Sequence, residues 1–233
     1  MFGGALKRKL LNQPKAASTK RLTEQESLKI IEEAGIPFAR TIVCRSLEEV
    51  LQAARTIRYP VVLKLMSSDL KERGLSGVRL GISSETELRR AFNELEKIVS
   101  AAGWKLEGWV VQEYIAGGEE VRIKAFRDDE LGPSIVFEPI SFWMKIFGDR
   151  SFRLAPLDRD EAKEMIKETY GYYMLVGEDG SLPVDFDALI ETMCKMSDLI
   201  CKLGRVVEIH LHPLKVLERG VKAVDVKVVL EVK

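Results

Sequence analysis

Apolar residues recur at helical spacing in five stretches of this chain and alternate or cluster in the stretches between them. The first helical pattern, Leu28, Ile31 and Ala34, follows a Thr23/Glu26 capping box and stops at Gly35. A second, Leu47, Val50, Leu51 and Ala54, starts at Ser46 with Glu49 three residues on; a third, Leu88, Ala91, Leu95 and Ile98, starts at Ser84 with Glu87. Asp158–Thr169 is amphipathic and acid-led, and Asp185–Leu203 is the longest helix expected, with Leu189, Met193, Met196, Ile200 and Leu203 on one stripe before Gly204. The methionines of that stripe read as core filler. Between helices, Ile36–Cys44 reads as extended. Trp109–Ile115 and Glu120–Phe126 read as two strands of a hairpin turned by Ala116-Gly117-Gly118-Glu119. Strands are also expected at Ser134–Phe137, Ser141–Phe147, Val206–Leu211, Leu214–Leu217 and Ala223–Val229. Helices and strands mixed in this order predict an α+β fold.

One stretch carries more chemistry than the rest. Tyr59–Ile82 reads as a strand, a polar glycine-bearing loop and a second strand, and Lys64 lies inside the apolar run Val61, Val62, Leu63, Leu65. An ammonium in such a strand is costly unless an anion or carboxylate meets it. A fixed lysine beside the flexible loop Ser67–Gly77 is the arrangement a polyphosphate needs; a snorkelling lysine beside an ordinary loop has the same local pattern.

Composition narrows the partners. Basic and acidic residues balance at 36 each, so no global field favours nucleic acid or an anionic membrane, and nucleic acid is not an expected partner. The arm Met1–Leu22 is locally basic and weakly periodic, which predicts a flexible tail. The three cysteines, Cys44, Cys194 and Cys201, have no metal-type spacing and are odd in number, so a disulfide framework is not expected and a reducing cytoplasm is the simpler compartment. No run of eighteen apolar residues or signal-peptide core is present, so no membrane association is expected.

In order, the phrases AGIPFARTIVCRSLEEVLQAA, YPVVLKL, SGVRLGI, VVQEYIAGGEEV, RDDELGPSIVF, DRSFRLAPL, LVGEDGSLPVDFDALIETM and VEIHLHPLKV resemble an ATP-grasp domain. More narrowly they resemble the β subunit of archaeal NDP-forming acyl-CoA (acetyl-CoA) synthetases, the ADP-forming acetate–CoA ligases. The resemblance implies an ATP-grasp fold of two α+β lobes that clamp ATP or ADP, here residues 23–103 for the small lobe and 104–233 for the large one. It implies magnesium as cofactor and a separate CoA-binding α subunit as partner. The reaction it implies converts acyl-CoA, ADP and phosphate to acid, CoA and ATP. Lys64 would meet the α-phosphate side, with the loop ending at Gly77 and Arg79 over the phosphates. Glu113 would hold the adenine amino group, the Tyr114–Ile115 backbone would read the base edge, and Glu120 would take the ribose hydroxyls. Taken alone, Glu113 is also a solvated strand-end acid and Glu120 a partner for Arg122 across the hairpin.

The departures from that family pattern point elsewhere. Phe137-Glu138-Pro139-Ile140-Ser141-Phe142-Trp143-Met144-Lys145 lacks the family's glycines and puts Lys145 where a magnesium-binding glutamate belongs. The family's Asp-x-Asn-Pro phrase is replaced by His210-Leu211-His212-Pro213, and Lys124 stands where a glycine is usual. The covering loop, one residue short, has no histidine to relay phosphate. Magnesium wants hard oxygen ligands, whereas imidazole suits softer transition metals. Two outcomes stay open: a non-catalytic paralogue that acts as a binding or regulatory partner, or altered chemistry. In the second, Glu208, His210 and His212 on one strand face are candidate metal ligands, and His210, His212 and Arg153 are candidate catalytic groups.

Overall fold

A computed structural model describes residues 19–67, 77–141, 146, 148–178, 180 and 182–232. In chain order the elements are β1 (Thr19–Arg21), α1 (Glu24–Glu33), β2 (Thr41–Cys44), α2 (Leu47–Ile57), β3 (Val61–Met66), β4 (Val78–Ile82), α3 (Glu85–Ala102) and β5 (Gly108–Glu113). They continue with β6 (Glu119–Asp128), β7 (Gly132–Pro139), β8 (Ser151–Leu154), α4 (Arg159–Lys167), α5 (Tyr172–Leu175), α6 (Phe186–Lys202), β9 (Val206–Val216), β10 (Val221–Ala223) and β11 (Val226–Glu231). The chain divides into two compact units: Ala39–Ala116 forms one, and the segments up to Phe38 and from Gly117 onward form the other.

In the inserted unit, four antiparallel strands lie in the order β2-β5-β3-β4. Local chemistry sets its helices. Ser46 accepts from the Glu49 N–H at 3.2 Å and Ser84 from the Glu87 N–H at 3.2 Å, satisfying first-turn donors that would otherwise be orphaned. Their apolar faces bring Val50, Ala54, Leu88 and Leu95 onto Leu63, Val111 and Trp109 of the sheet. Trp109, 1% exposed, packs on Phe92 with ring centroids 4.2 Å apart.

In the other unit the sheet runs β1-β11-β9-β6-β7-β8, with β10 paired to β9, all antiparallel. One face packs against α6, α4 and α1, and the buried Met193, Met196 and Ile200 meet Ile123, Ile135, Ile209 and Leu211. Asp185 caps α6 by accepting from the Ala188 N–H at 3.0 Å, and the same carboxylate accepts from the Gly220 N–H at 2.7 Å. Thr23 and Glu26 form the expected reciprocal capping box on α1.

The structure departs from the sequence expectation at several places. The strand expected at Ser141–Phe147 is not seen at its described residues, since Ser141 lies in a bend and Ile146 is helical, and the strand expected at Ala223–Val229 is split into the end of β10 and β11. β5 and β6 do not form a hairpin: β5 sits between β2 and β3, and β6 between β9 and β7 in the other sheet. For the same reason the unit boundaries fall at residues 38/39 and 116/117 rather than at 103/104, since β5 belongs with β2 and β3 while β1 and α1 belong with β11. Thr19–Arg21, expected in the flexible arm, is a strand on β11, and residues 1–18 lie outside the described residues. The two strands expected around Pro213 are one, β9, in which the His212–Pro213 peptide is cis. The helix α3, with 18 residues, exceeds the 17 of α6. The covering loop between Ser67 and Gly77 and the segment with Phe142, Trp143 and Lys145 lie outside the described residues.

Candidate functional site

Strand alternation sorts the larger sheet into a core face and a polar face. Val121, Ile123 and Ala125 of β6, Ile209 and Leu211 of β9, and Val226 and Val228 of β11 are all buried in the core. Because side chains alternate, Arg122 and Lys124, then Glu208 and His210, then Lys227 must face the other way. Register aligns them: His210 is directly opposite Lys124 on one side and Lys227 on the other.

Ion pairs knit this face. Glu208 accepts from Lys227 Nζ at 2.8 Å through one oxygen and lies 3.0 Å from Lys124 Nζ through the other. Arg122 is paired with Glu138, and Lys215 Nζ lies 3.0 Å from Glu120. Burial pushes the Glu208 carboxyl up, but the hydrogen bonds and charges of Lys227 and Lys124 outweigh it and hold the group below its ordinary value. For His210 burial and the cations work together. Burial is the larger cause, with Arg122, His212 and Lys124 adding to it against Glu208, and its pKa falls to about 3. The ring is therefore neutral at physiological pH. It stacks on His212 with centroids 5.5 Å apart, and its Nε2 is buried without a hydrogen-bond partner.

Glu208 has given both oxygens to ammonium groups. Among the described residues no three His, Cys, Asp or Glu form a group that could hold a metal ion. Glu208, His210 and His212 are brought together, but as an ion-paired and stacked set. Among the described residues of this face, Glu120, Glu138 and Glu208 each sit on a cation of the chain and His210 and His212 offer imidazole nitrogens, a set poor in the unshared hard oxygen ligands that magnesium takes. Arg153 lies apart from this face. It forms a two-pronged pair with Glu168 across β8 and α4, and that hydrogen bond, foremost among the causes, raises its pKa.

In the inserted unit, Lys64 lies on β3 between buried Leu63 and Leu65, itself half-buried, with Val78 and Val110 as its neighbours in register. The Gly77 carbonyl accepts from the Leu65 N–H at 2.8 Å, which fixes where the loop re-enters the sheet. Arg79 lies 3.6 Å from Glu94 of α3. Glu113 is not simply solvated: it accepts from the Arg40 N–H at 3.2 Å and lies 3.5 Å from the Arg40 guanidinium. The Tyr114 N–H donates to the Pro60 carbonyl at 3.3 Å, and the Tyr114 ring is exposed. Glu120 is paired with Lys215 and not with Arg122, because β6 lies against β9.

The sequence reading passed over Lys227, Lys215 and the Arg122–Glu138 pair. Lys227 sits between Val226 and Val228, the same signal that singled out Lys64.

Residues 13–230 match the family of ATP-grasp domains. The ADP-forming acetate–CoA ligase I of Archaeoglobus fulgidus is 36% identical over 213 residues, which are 90% of this chain and 31% of that protein. The β subunit of ADP-forming acetate–CoA ligase I from Pyrococcus furiosus is 31% identical over 96% of this chain and 97% of its own length. A solved structure of the Ca. Korarchaeum cryptofilum dinucleotide forming acetyl-coenzyme A synthetase 1, in complex with coenzyme A, Ca-AMPCP and HgCl+, superposes with a TM-score of 0.83 at 32% identity, covering 97% of both chains. The chain thus spans about a third of the first relative and nearly all of the second. Among the described residues no helix is long and apolar enough to cross a membrane.

Proposed function

The chain belongs to the ATP-grasp domain family, and on that footing we propose that it is the nucleotide-binding β subunit of an ADP-forming acyl-CoA synthetase. With a separate CoA-binding α subunit it would convert acyl-CoA, ADP and phosphate to acid, CoA and ATP. The observation that carries this reading is the half-buried cationic face of the larger sheet, where Lys124 and Lys227 share the single carboxylate of Glu208. A sheet face that kept its charges only for solubility would expose them; these are sheltered, as groups that meet an anion are. Lys64 and Glu113 are proposed as further nucleotide contacts, toward the phosphates and the base edge respectively, and Glu120 toward the ribose.

A second reading is favoured by one observation, the poor fit of the described residues to magnesium. In it the chain is a non-catalytic paralogue that occupies the β position and binds nucleotide without turnover. One reconstitution separates the two. Purified chain is mixed with a purified α subunit of an ADP-forming acetyl-CoA synthetase, and ATP formed from acetyl-CoA, ADP and phosphate is followed. ATP formation that Lys64→Ala abolishes supports the catalytic subunit. A complex that binds ADP but makes no ATP moves the function to the paralogue. Absence of both complex and ADP binding overturns the assignment.

A further inference from the structure

One rung of the larger sheet carries three polar side chains in a row, Lys124 of β6, His210 of β9 and Lys227 of β11. Neighbouring antiparallel strands lie about 4.8 Å apart, so the two lysines flank the imidazole at contact range for a single small oxyanion. Among the described residues the only carboxylate bonded to the lysines is Glu208, on the same strand as His210 and one alternation away. Two ammonium groups against one carboxylate leave one positive charge on the cluster. The imidazole is neutral and adds no charge to cancel it. Its Nε2 is buried and makes no hydrogen bond, which is rare for a polar atom inside a protein and marks a position that a ligand atom satisfies. The adjacent pair Arg122–Glu138 is neutral as a unit and leaves that excess in place.

We infer that the Lys124–His210–Lys227 rung is a metal-free seat for a phosphate group of the bound nucleotide, two fixed ammonium groups doing there what a divalent cation does elsewhere. The inference rests on the nucleotide-binding reading above and deepens it. Ammonium groups on strands suit this task because their positions are set by sheet register rather than by a loop. The carboxylate of Glu208 keeps both lysines aimed when no anion is present. Among the described residues of this face, a divalent cation brought in by the nucleotide would face two like charges and no carboxylate without a cationic partner, so it gains nothing there.

The test is calorimetric titration of the full chain with ADP, once in EDTA and once in excess magnesium. ADP binds in EDTA, and magnesium changes the affinity by less than about threefold. Lys124→Met and Lys227→Met each weaken ADP by about tenfold, the loss of one charge-assisted contact. Each variant leaves Glu208 with one lysine partner, and circular dichroism matching the parent chain confirms that the fold is kept. Affinity that rises more than about tenfold on adding magnesium overturns the inference while leaving nucleotide binding intact. So does parental affinity in both lysine variants. No ADP binding in either buffer overturns the nucleotide reading itself, and the inference with it.

Discussion

Replacing Glu208 by Gln keeps the shape of the side chain and removes its charge, which isolates what the carboxylate does for the polar face. Its oxygens lie 2.8 Å from Lys227 Nζ and 3.0 Å from Lys124 Nζ. The carboxylate is 14% exposed and both lysines 31%, so these pairs lie between the surface and the buried limits. A hydrogen bond to a sheltered charge contributes roughly 1.5–3 kcal/mol, and an exposed ion pair about 0.2–1 kcal/mol. Two contacts of intermediate shelter, less what the glutamine carbonyl can still accept, give a loss of about 2–3 kcal/mol at neutral pH. With a urea slope of about 1–3 kcal/mol per molar, the denaturation midpoint falls by roughly 1 M. The effect depends on pH with a definite sign. The folded-state pKa of Glu208 lies below 4.5 because Lys227 and Lys124 outweigh burial. A carboxyl of this kind stabilises the fold fully above its unfolded pKa and ceases to do so as the pH drops through its folded one. Parent and Glu208→Gln chains therefore differ most at neutral pH and converge in acid, where the parent carboxyl is itself neutral. A midpoint difference that stays constant from neutral pH into acid, or none at neutral pH, refutes the reasoning.

Two further substitutions test the fold around the site. Asp185→Ala removes the α6 cap at the Ala188 N–H and orphans the Gly220 N–H at 2.7 Å, so it costs about 1–2 kcal/mol in urea denaturation, while Asp185→Asn costs less than half of that. No measurable loss for Ala would show that the cap contributes nothing. Trp109→Ala empties a site 1% exposed beside Phe92 and lowers stability by about 3–5 kcal/mol in thermal or urea unfolding. A loss below about 1 kcal/mol would mean that this core closes around the cavity.

Where the fold could be read ahead of the structure, the signal was local. Thr23 with Glu26, Ser46 with Glu49 and Ser84 with Glu87 each announce a helix start because cap and donor lie within one turn, and all three make the expected bonds. The misassigned hairpin shows where such signals end. Gly117 and Gly118, with φ of +68° and +70°, have the conformation of a tight turn. The reason for Gly118, however, lies across the sheet: a Cβ there would fall 2.6 Å from the Val216 carbonyl oxygen, so the glycine permits a close approach to β9. A turn glycine and a close-approach glycine look the same in a sequence, and only the second accounts for β6 leaving β5.

The same limit governed the site. Lys64 stood out because its neighbours in the chain are apolar, and Lys227 between Val226 and Val228 offers an identical pattern. His210 and His212, two apart on one strand, suggest metal ligands in the sequence and leave their neighbours across the sheet unspecified. Register supplies those neighbours and changes the chemistry. With Lys124 and Lys227 on either side of His210, and with Glu208 bound to both, the strand that seemed to offer ligands to a cation instead presents positive charge to whatever arrives. The sign of a site on a sheet is thus fixed by what lies one strand away. On this face two lysines from separate strands decide it in favour of an anion.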